Sequence, residues 1–243
     1  MKNRIYPLLA MLVMSNLLNA QVRRNTAEAS QNQKAIAANE AQLERDQNEL
    51  AAFKIKLTEF EKAFANKNAP KAASLKSELV SAMQREIGQS ENKIAQDKKE
   101  VSQSQSELAA SNRELKRSRR DLATYDNDSK DAHDVRDDRR DRKDDQRDVK
   151  DDKADLEKQI ARTNRQKEIY GILKKYTFSF EPSYYEKAVA NKALFQEFAT
   201  TMEKDIAATK AEIAEDKREA AEDSRERRED KRERAEKRRN KNW

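Results

Sequence analysis

Aspartates recur every seven positions in the middle of this chain. Asp134-Val135-Arg136-Asp137-Asp138 is followed by Asp141-Arg142-Lys143-Asp144-Asp145 and then by Asp148-Val149-Lys150-Asp151-Asp152. Carboxylates at this density have two chemistries open to them: holding a divalent cation, or meeting cationic side chains. Ten aspartates stand against eight bases over residues 134–155, a net charge of −2. Opposite charges fall three and four residues apart, where a helix brings them face to face for about 0.2–0.5 kcal/mol per pair. The pattern therefore points to a charge-laced helix face. A cation loop needs a dense ligand run with a glycine at its turn, and Asp126-x-Asp128 lacks that glycine.

The complementary charge lies at the C-terminus. Residues 225–243 carry ten basic and five acidic side chains. They continue the heptad phase of Ile206, Ile213 and Ala220 into Arg227 and Arg234, so the seam there is charged and builds no dry core. The expected partner is the aspartate helix beginning at Asp134, met in antiparallel fashion. The competing use is an external polyanion, either anionic lipid head groups or a cell-wall polymer. Arg227, Arg228, Lys231, Arg232, Arg234, Lys237, Arg238 and Arg239 are the candidate contacts. Nucleic acid is the weakest of the polyanion readings. A second basic cluster comprises Arg113, Lys116, Arg117, Arg119 and Arg120.

His133 is the sole histidine. A catalytic histidine needs an orienting partner and a pocket, and a metal site needs more ligands of suitable type; this one reads as solvent-exposed. There is no nucleophile motif, glycine-rich phosphate loop or zinc motif. The expectation is a protein without catalytic, cofactor-binding or metal residues, and hence no cofactor.

These side chains must be positioned by a simple scaffold. The chain has 243 residues, 52 lysines and arginines, 46 aspartates and glutamates, and a net charge of +6. Charged residues make up 40%, against about 25% in an average domain, and there are two glycines, three prolines and no cysteine. Two glycines cannot supply the turns of a barrel, a sandwich or a multi-crossover α/β fold. Without cysteine there is neither a disulfide framework nor a thiolate zinc site.

Residues 1–20 have the layout of a secretory signal peptide. Lys2 and Arg4 begin it, Ile5 to Leu18 is mostly apolar, and Ala20 precedes the expected cut before Gln21. The apolar run falls short of the ~20 residues of a membrane span. Cleavage leaves 223 residues with a charge of +4 and no further run able to cross a bilayer. An exported, cysteine-free chain fits the periplasm.

The remainder reads as long helices. Ile36, Leu43, Leu50, Leu57 and Phe64 keep a period of seven, with Phe53 and Phe60 as a second column. Asn68-Ala69-Pro70 breaks the first helix. The second carries Leu75, Leu79, Met83 and Ile87, then Ile94, Val101, Leu108, Leu115 and Leu122, beside a polar column of Ser90, Asp97, Ser104, Ser111 and Ser118. One apolar side chain per heptad makes this outer seam thin. A break is expected at 126–133. The third helix runs from about Asp134 through Val149, Leu156, Ile160, Ile169, Ile172, Leu173 and Tyr176; the chain turns at Pro182, and Ser183-x-x-Glu186 reads as a capping box. The fourth carries Val189, Leu194, Phe198, Met202, Ile206 and Ile213.

The halves repeat at an offset of 119, pairing Leu75, Leu79, Met83, Ile87 and Ile94 with Leu194, Phe198, Met202, Ile206 and Ile213. The expected fold is all-α: long antiparallel coiled-coil hairpins, duplicated into an elongated four-helix arrangement. The first hairpin covers 21–125, the second 134–224, and a basic helical tail 225–243. Eleven of the 14 aromatic residues lie in 53–64 and 170–198, near the two turns. The expected packed tip comprises Phe53, Leu57, Phe60, Phe64, Leu79, Met83, Leu194, Phe198 and Met202.

Two functions suit this layout. One is a non-enzymatic exported scaffold, spacer or adaptor of the cell envelope that binds a protein partner or itself. The other is a periplasmic holdase. A signal peptide, a basic cysteine-free chain and long hairpin arms are similar to holdases of the Skp type, and that resemblance implies arms enclosing a client. The present chain departs from it in having no strand-forming segments for a β-body and in carrying the hairpin twice. A holdase exposes apolar patches; a scaffold hides its aromatic end.

Overall fold

The computed structural model describes residues 6–124 and 129–240, with side chains for most of 33–123 and 135–225. Four helices account for nearly all of this: α1 (Tyr6–Ala65), α2 (Ala69–Thr124), α3 (Ser129–Lys175) and α4 (Pro182–Asn240). No strand occurs among the described residues. Only Gly88 of α2 and Gly171 of α3 interrupt the long heptads with glycine, and Pro70 and Pro182 stand in first turns, so the helices run on. The chain divides into two compact units, Leu50–Asp205 and the paired segments Met1–Glu49 and Ile206–Trp243.

In the Leu50–Asp205 unit, one apolar cluster draws on all four helices. It contains Phe53, Leu57, Phe60 and Phe64 of α1, Leu75, Leu79, Met83 and Ile87 of α2, Ile169 and Leu173 of α3, and Phe195, Phe198 and Met202 of α4. Past this cluster α2 continues antiparallel to α3. In the other unit α1 lies along α4: Lys217 Nζ is 2.6 Å from Glu40 Oε1, and Ile213 is buried. The pairs are thus α2 with α3 and α1 with α4. Exchanging the halves, α1 with α3 and α2 with α4, converts one pair into the other.

The turn between α1 and α2 is a Schellman cap. The Asn68 N–H donates to Ala63 O at 2.9 Å and the Lys67 N–H to Phe64 O at 3.0 Å. This requires a left-handed residue, and Lys67 takes it at φ 52°. The Asn68 side chain then caps α2, accepting from the Lys71 N–H at 3.1 Å.

Several expectations need correction. Helix α3 begins at Ser129, inside the break expected at 126–133; serine and aspartate at 129–131 suit a helix start. The residues 125–128 lie outside those described, as do the side chains of His133 and Asp134. Ser183 is no N-cap: α4 opens with Pro182, whose fixed φ suits a first helical position, and Tyr184 N–H donates to Glu181 O at 3.0 Å. Ile172 and Val189 are exposed rather than in the seam, because Ile169 and Leu173 set the inward stripe of α3 and Ala188 is buried in place of Val189. Leu115, expected in a thin seam, is buried with only 3% exposure, although it stands outside the continuous cluster.

Candidate functional site

The tip is built around Phe60, which is fully buried. Its ring meets Phe178 and Phe195 edge-on, both at 5.1 Å between centroids, and Phe64 at 6.2 Å. Phe64 contacts Phe178, Phe180 and Tyr185 at 5.9, 5.2 and 5.9 Å. Edge-on and offset pairs of this kind are favoured by the ring quadrupole. The two turns are therefore clasped by one aromatic cluster. Deeper in, Phe53 lies 5.7 Å from Phe198. Of the nine residues expected at the tip, Phe53, Leu57, Phe60, Phe64, Leu79, Met83, Phe198 and Met202 are buried, while Leu194 is half-buried against the cluster. Phe195, absent from that expectation, occupies the fully buried seat instead. A 3.6-residue stripe through Phe195, Phe198, Ala199 and Met202 would have identified it.

Below the aromatic core lies a buried polar layer that periodicity alone did not reveal. Asp205 of α4 accepts from Arg162 Nε of α3 at 2.5 Å and from Gln166 Nε2 at 2.9 Å. Ser90 of α2 donates to Gln166 Oε1 at 3.0 Å, and Arg162 Nη2 to Gln159 Oε1 at 2.5 Å. Burial pushes the Asp205 carboxyl up, against the pull of Arg162 and Gln166. Outside it, Arg165 binds Glu197 through two N–H groups, at 2.6 and 2.9 Å, and the bidentate hydrogen bonds hold the Glu197 carboxyl below its usual range. A buried ion pair contributes little net stability, but it penalises any slip that separates its members. The layer thus sets the register of α2, α3 and α4.

The aspartate repeat is answered by α2. Ser104 donates to Asp152 and Ser111 to Asp145. Together with Ser90–Gln166, these contacts fall at multiples of seven along α2 and back by the same multiples along α3. The two polar columns are one ladder. Two of the aspartates, Asp145 and Asp152, are thus engaged by α2 within the Leu50–Asp205 unit. Next along, Asp138 Oδ2 is buried without a hydrogen-bond partner. Partial desolvation and the charges of Asp138, Asp137, Asp145 and Glu114 hold the Asp141 carboxyl above its ordinary value.

Arg228 and Arg232 of the tail are exposed on α4. The side chains of Arg227, Lys231, Arg234, Lys237, Arg238 and Arg239 lie outside those described. Among the described residues no cluster of three or more histidines or carboxylates is arranged to hold a metal ion, and no helix is long and apolar enough to cross a membrane. The arrangement can clasp, space and present helices. No family model, curated protein or solved structure matches the chain.

Proposed function

We propose that the protein is a non-enzymatic, exported coiled-coil scaffold or spacer of the cell envelope, acting through a protein partner or self-association. The observation that carries this reading is the complete burial of Phe53, Phe60, Phe195 and Phe198 in an intramolecular core. Large aromatic surface used for internal packing is withdrawn from clients, whereas a holdase keeps it open. The polar ladder between α2 and α3 supports the same reading, since it specifies one alignment of two long helices. Export rests on the layout of residues 1–20, with cleavage before Gln21 and a periplasmic destination.

Cross-linking in the native envelope, followed by purification and mass spectrometry, tests the proposal. A reproducible protein partner or a cross-linked homo-oligomer is expected, with an intact mass beginning at Gln21. Suppression of client aggregation at stoichiometric concentration, without a stable partner, would favour the holdase instead. Retention of Met1 would refute export with cleavage.

A further inference from the structure

The outer cap of the tip carries a chemistry that packing does not use. It is formed by residues 66–71 and 174–187, the two turns that Phe64 and Phe178 hold together at 5.9 Å. Five lysines stand on it, Lys67, Lys71, Lys174, Lys175 and Lys187, all exposed, against Glu181 and Glu186. The cap therefore has a net charge of +3. Among the described residues none of the five forms an ion pair, and Lys174 instead lies 5.2 Å from the Tyr170 ring centroid.

Amid these charges, two tyrosines are turned outward. Tyr184 is 55% and Tyr185 41% exposed, with Val189, at 40%, one turn further along α4. The Tyr185 ring stacks on Phe64, so it is backed by the core and already ordered. Ordered amphipathic rings lose little conformational freedom on docking. Aromatic rings with a polar tip settle at the head-group level of a bilayer, and lysines extend past them to phosphates.

We propose that this cap docks on an anionic lipid surface, with Tyr184 and Tyr185 entering the head-group layer and the lysines meeting lipid phosphates. Charge complementarity selects this occupant. A second copy would bring another +3 cap against the first, and a neutral bilayer would leave the lysines without counter-charges. The proposal is independent of the scaffold reading, because it concerns side chains left outside the core.

The absence of cysteine in the chain makes the test direct. Ser183→Cys places an environment-sensitive fluorophore beside Tyr184, and Ala123→Cys places one at the far end of α2, about 80 Å along the helix. Full-length protein is mixed with vesicles of equimolar phosphatidylglycerol and phosphatidylcholine, or of phosphatidylcholine alone. The expected result is a blue shift at position 183 with the anionic vesicles only, and none at position 123. Lys174→Gln with Lys175→Gln should weaken vesicle partitioning about 25-fold, at roughly fivefold per lysine. Tyr184→Ser with Tyr185→Ser should abolish the shift, each variant retaining wild-type helicity by circular dichroism. Arg228→Gln with Arg232→Gln, in the tail, should leave the shift at 183 intact.

Co-sedimentation with anionic vesicles while the probe at 183 stays silent would overturn the proposal and assign binding elsewhere. So would a shift on phosphatidylcholine alone, or one produced only by an acidic soluble protein. Displacement by inorganic phosphate beyond that caused by sodium chloride at equal ionic strength would also overturn it, in favour of a discrete anion site.

Discussion

The ladder between α2 and α3 makes a quantitative claim about the outer part of that helix pair. In Ser111→Ala the Asp145 carboxylate loses a hydroxyl donor. A hydrogen bond to a charged group contributes about 1.5–3 kcal/mol when buried. Ser111 and Asp145 are only half-buried, so water replaces part of the bond and about 1 kcal/mol is the expected cost. At RT of about 0.59 kcal/mol, that is roughly a fivefold rise in the local opening equilibrium. Hydrogen exchange monitored by mass spectrometry should show it as about fivefold faster exchange in residues 104–118 and 138–152. Residues 53–87, held by the apolar cluster, should be unaffected. The discriminating measurement is a double-mutant cycle of Ser111→Ala with Asp145→Asn, in which the pair should show about 1 kcal/mol of coupling. Additive single effects, or unaltered exchange in Ser111→Ala, would refute the ladder.

Lys67 sits at φ 52° in a Schellman cap, so Lys67→Gly should stabilise by up to about 1 kcal/mol by relieving the left-handed penalty, seen as a higher urea midpoint. Phe60→Ala should cost about 3–5 kcal/mol, whereas Leu115→Ala, outside the continuous cluster, should cost nearer 2 kcal/mol; equal losses in denaturant titrations would contradict a single packed tip. The Asp141 and Asp205 carboxyls are both raised on folding, so the folded chain binds protons more tightly than the unfolded one. Their stabilising contribution is complete below the ordinary carboxylate pKa and is lost as pH rises through the raised value. Asp141→Asn should therefore raise the melting temperature near neutral pH and lose that advantage in acid. Deleting residues 225–243 should leave amide exchange over 138–152 unchanged, since Ser104 and Ser111 of α2 engage Asp152 and Asp145 there; faster exchange would assign the tail as partner of the remaining aspartates.

Composition and period alone determined the all-helical class, the two turns and the aromatic tip. Two glycines, prolines confined after residue 20 to positions 70 and 182, and apolar columns spaced by seven leave a helix few alternatives. Burying Phe53, Phe60 and Phe198 follows from their columns, because each helix must hide its apolar stripe. The seven-residue period says which face of a helix turns inward, but it does not name the helix that receives it. That choice needed the tertiary structure. The serines of α2 and the aspartates of α3 share a period with several other columns, and only their opposition across an antiparallel pair makes them donor and acceptor. The same holds for Asp205, which looked like one charge among many until Arg162 and Gln166 closed around it. Phe195 displaced Leu194 because the column Leu194, Phe198, Met202 and Ile206 steps by four, which winds about 40° per step around a 3.6-residue helix, and the neighbours a side chain meets decide which end of that column turns inward. Lys67 became a strained residue for a similar reason: its φ is imposed by the hydrogen bonds that end α1 and start α2, a constraint set by geometry rather than by residue type.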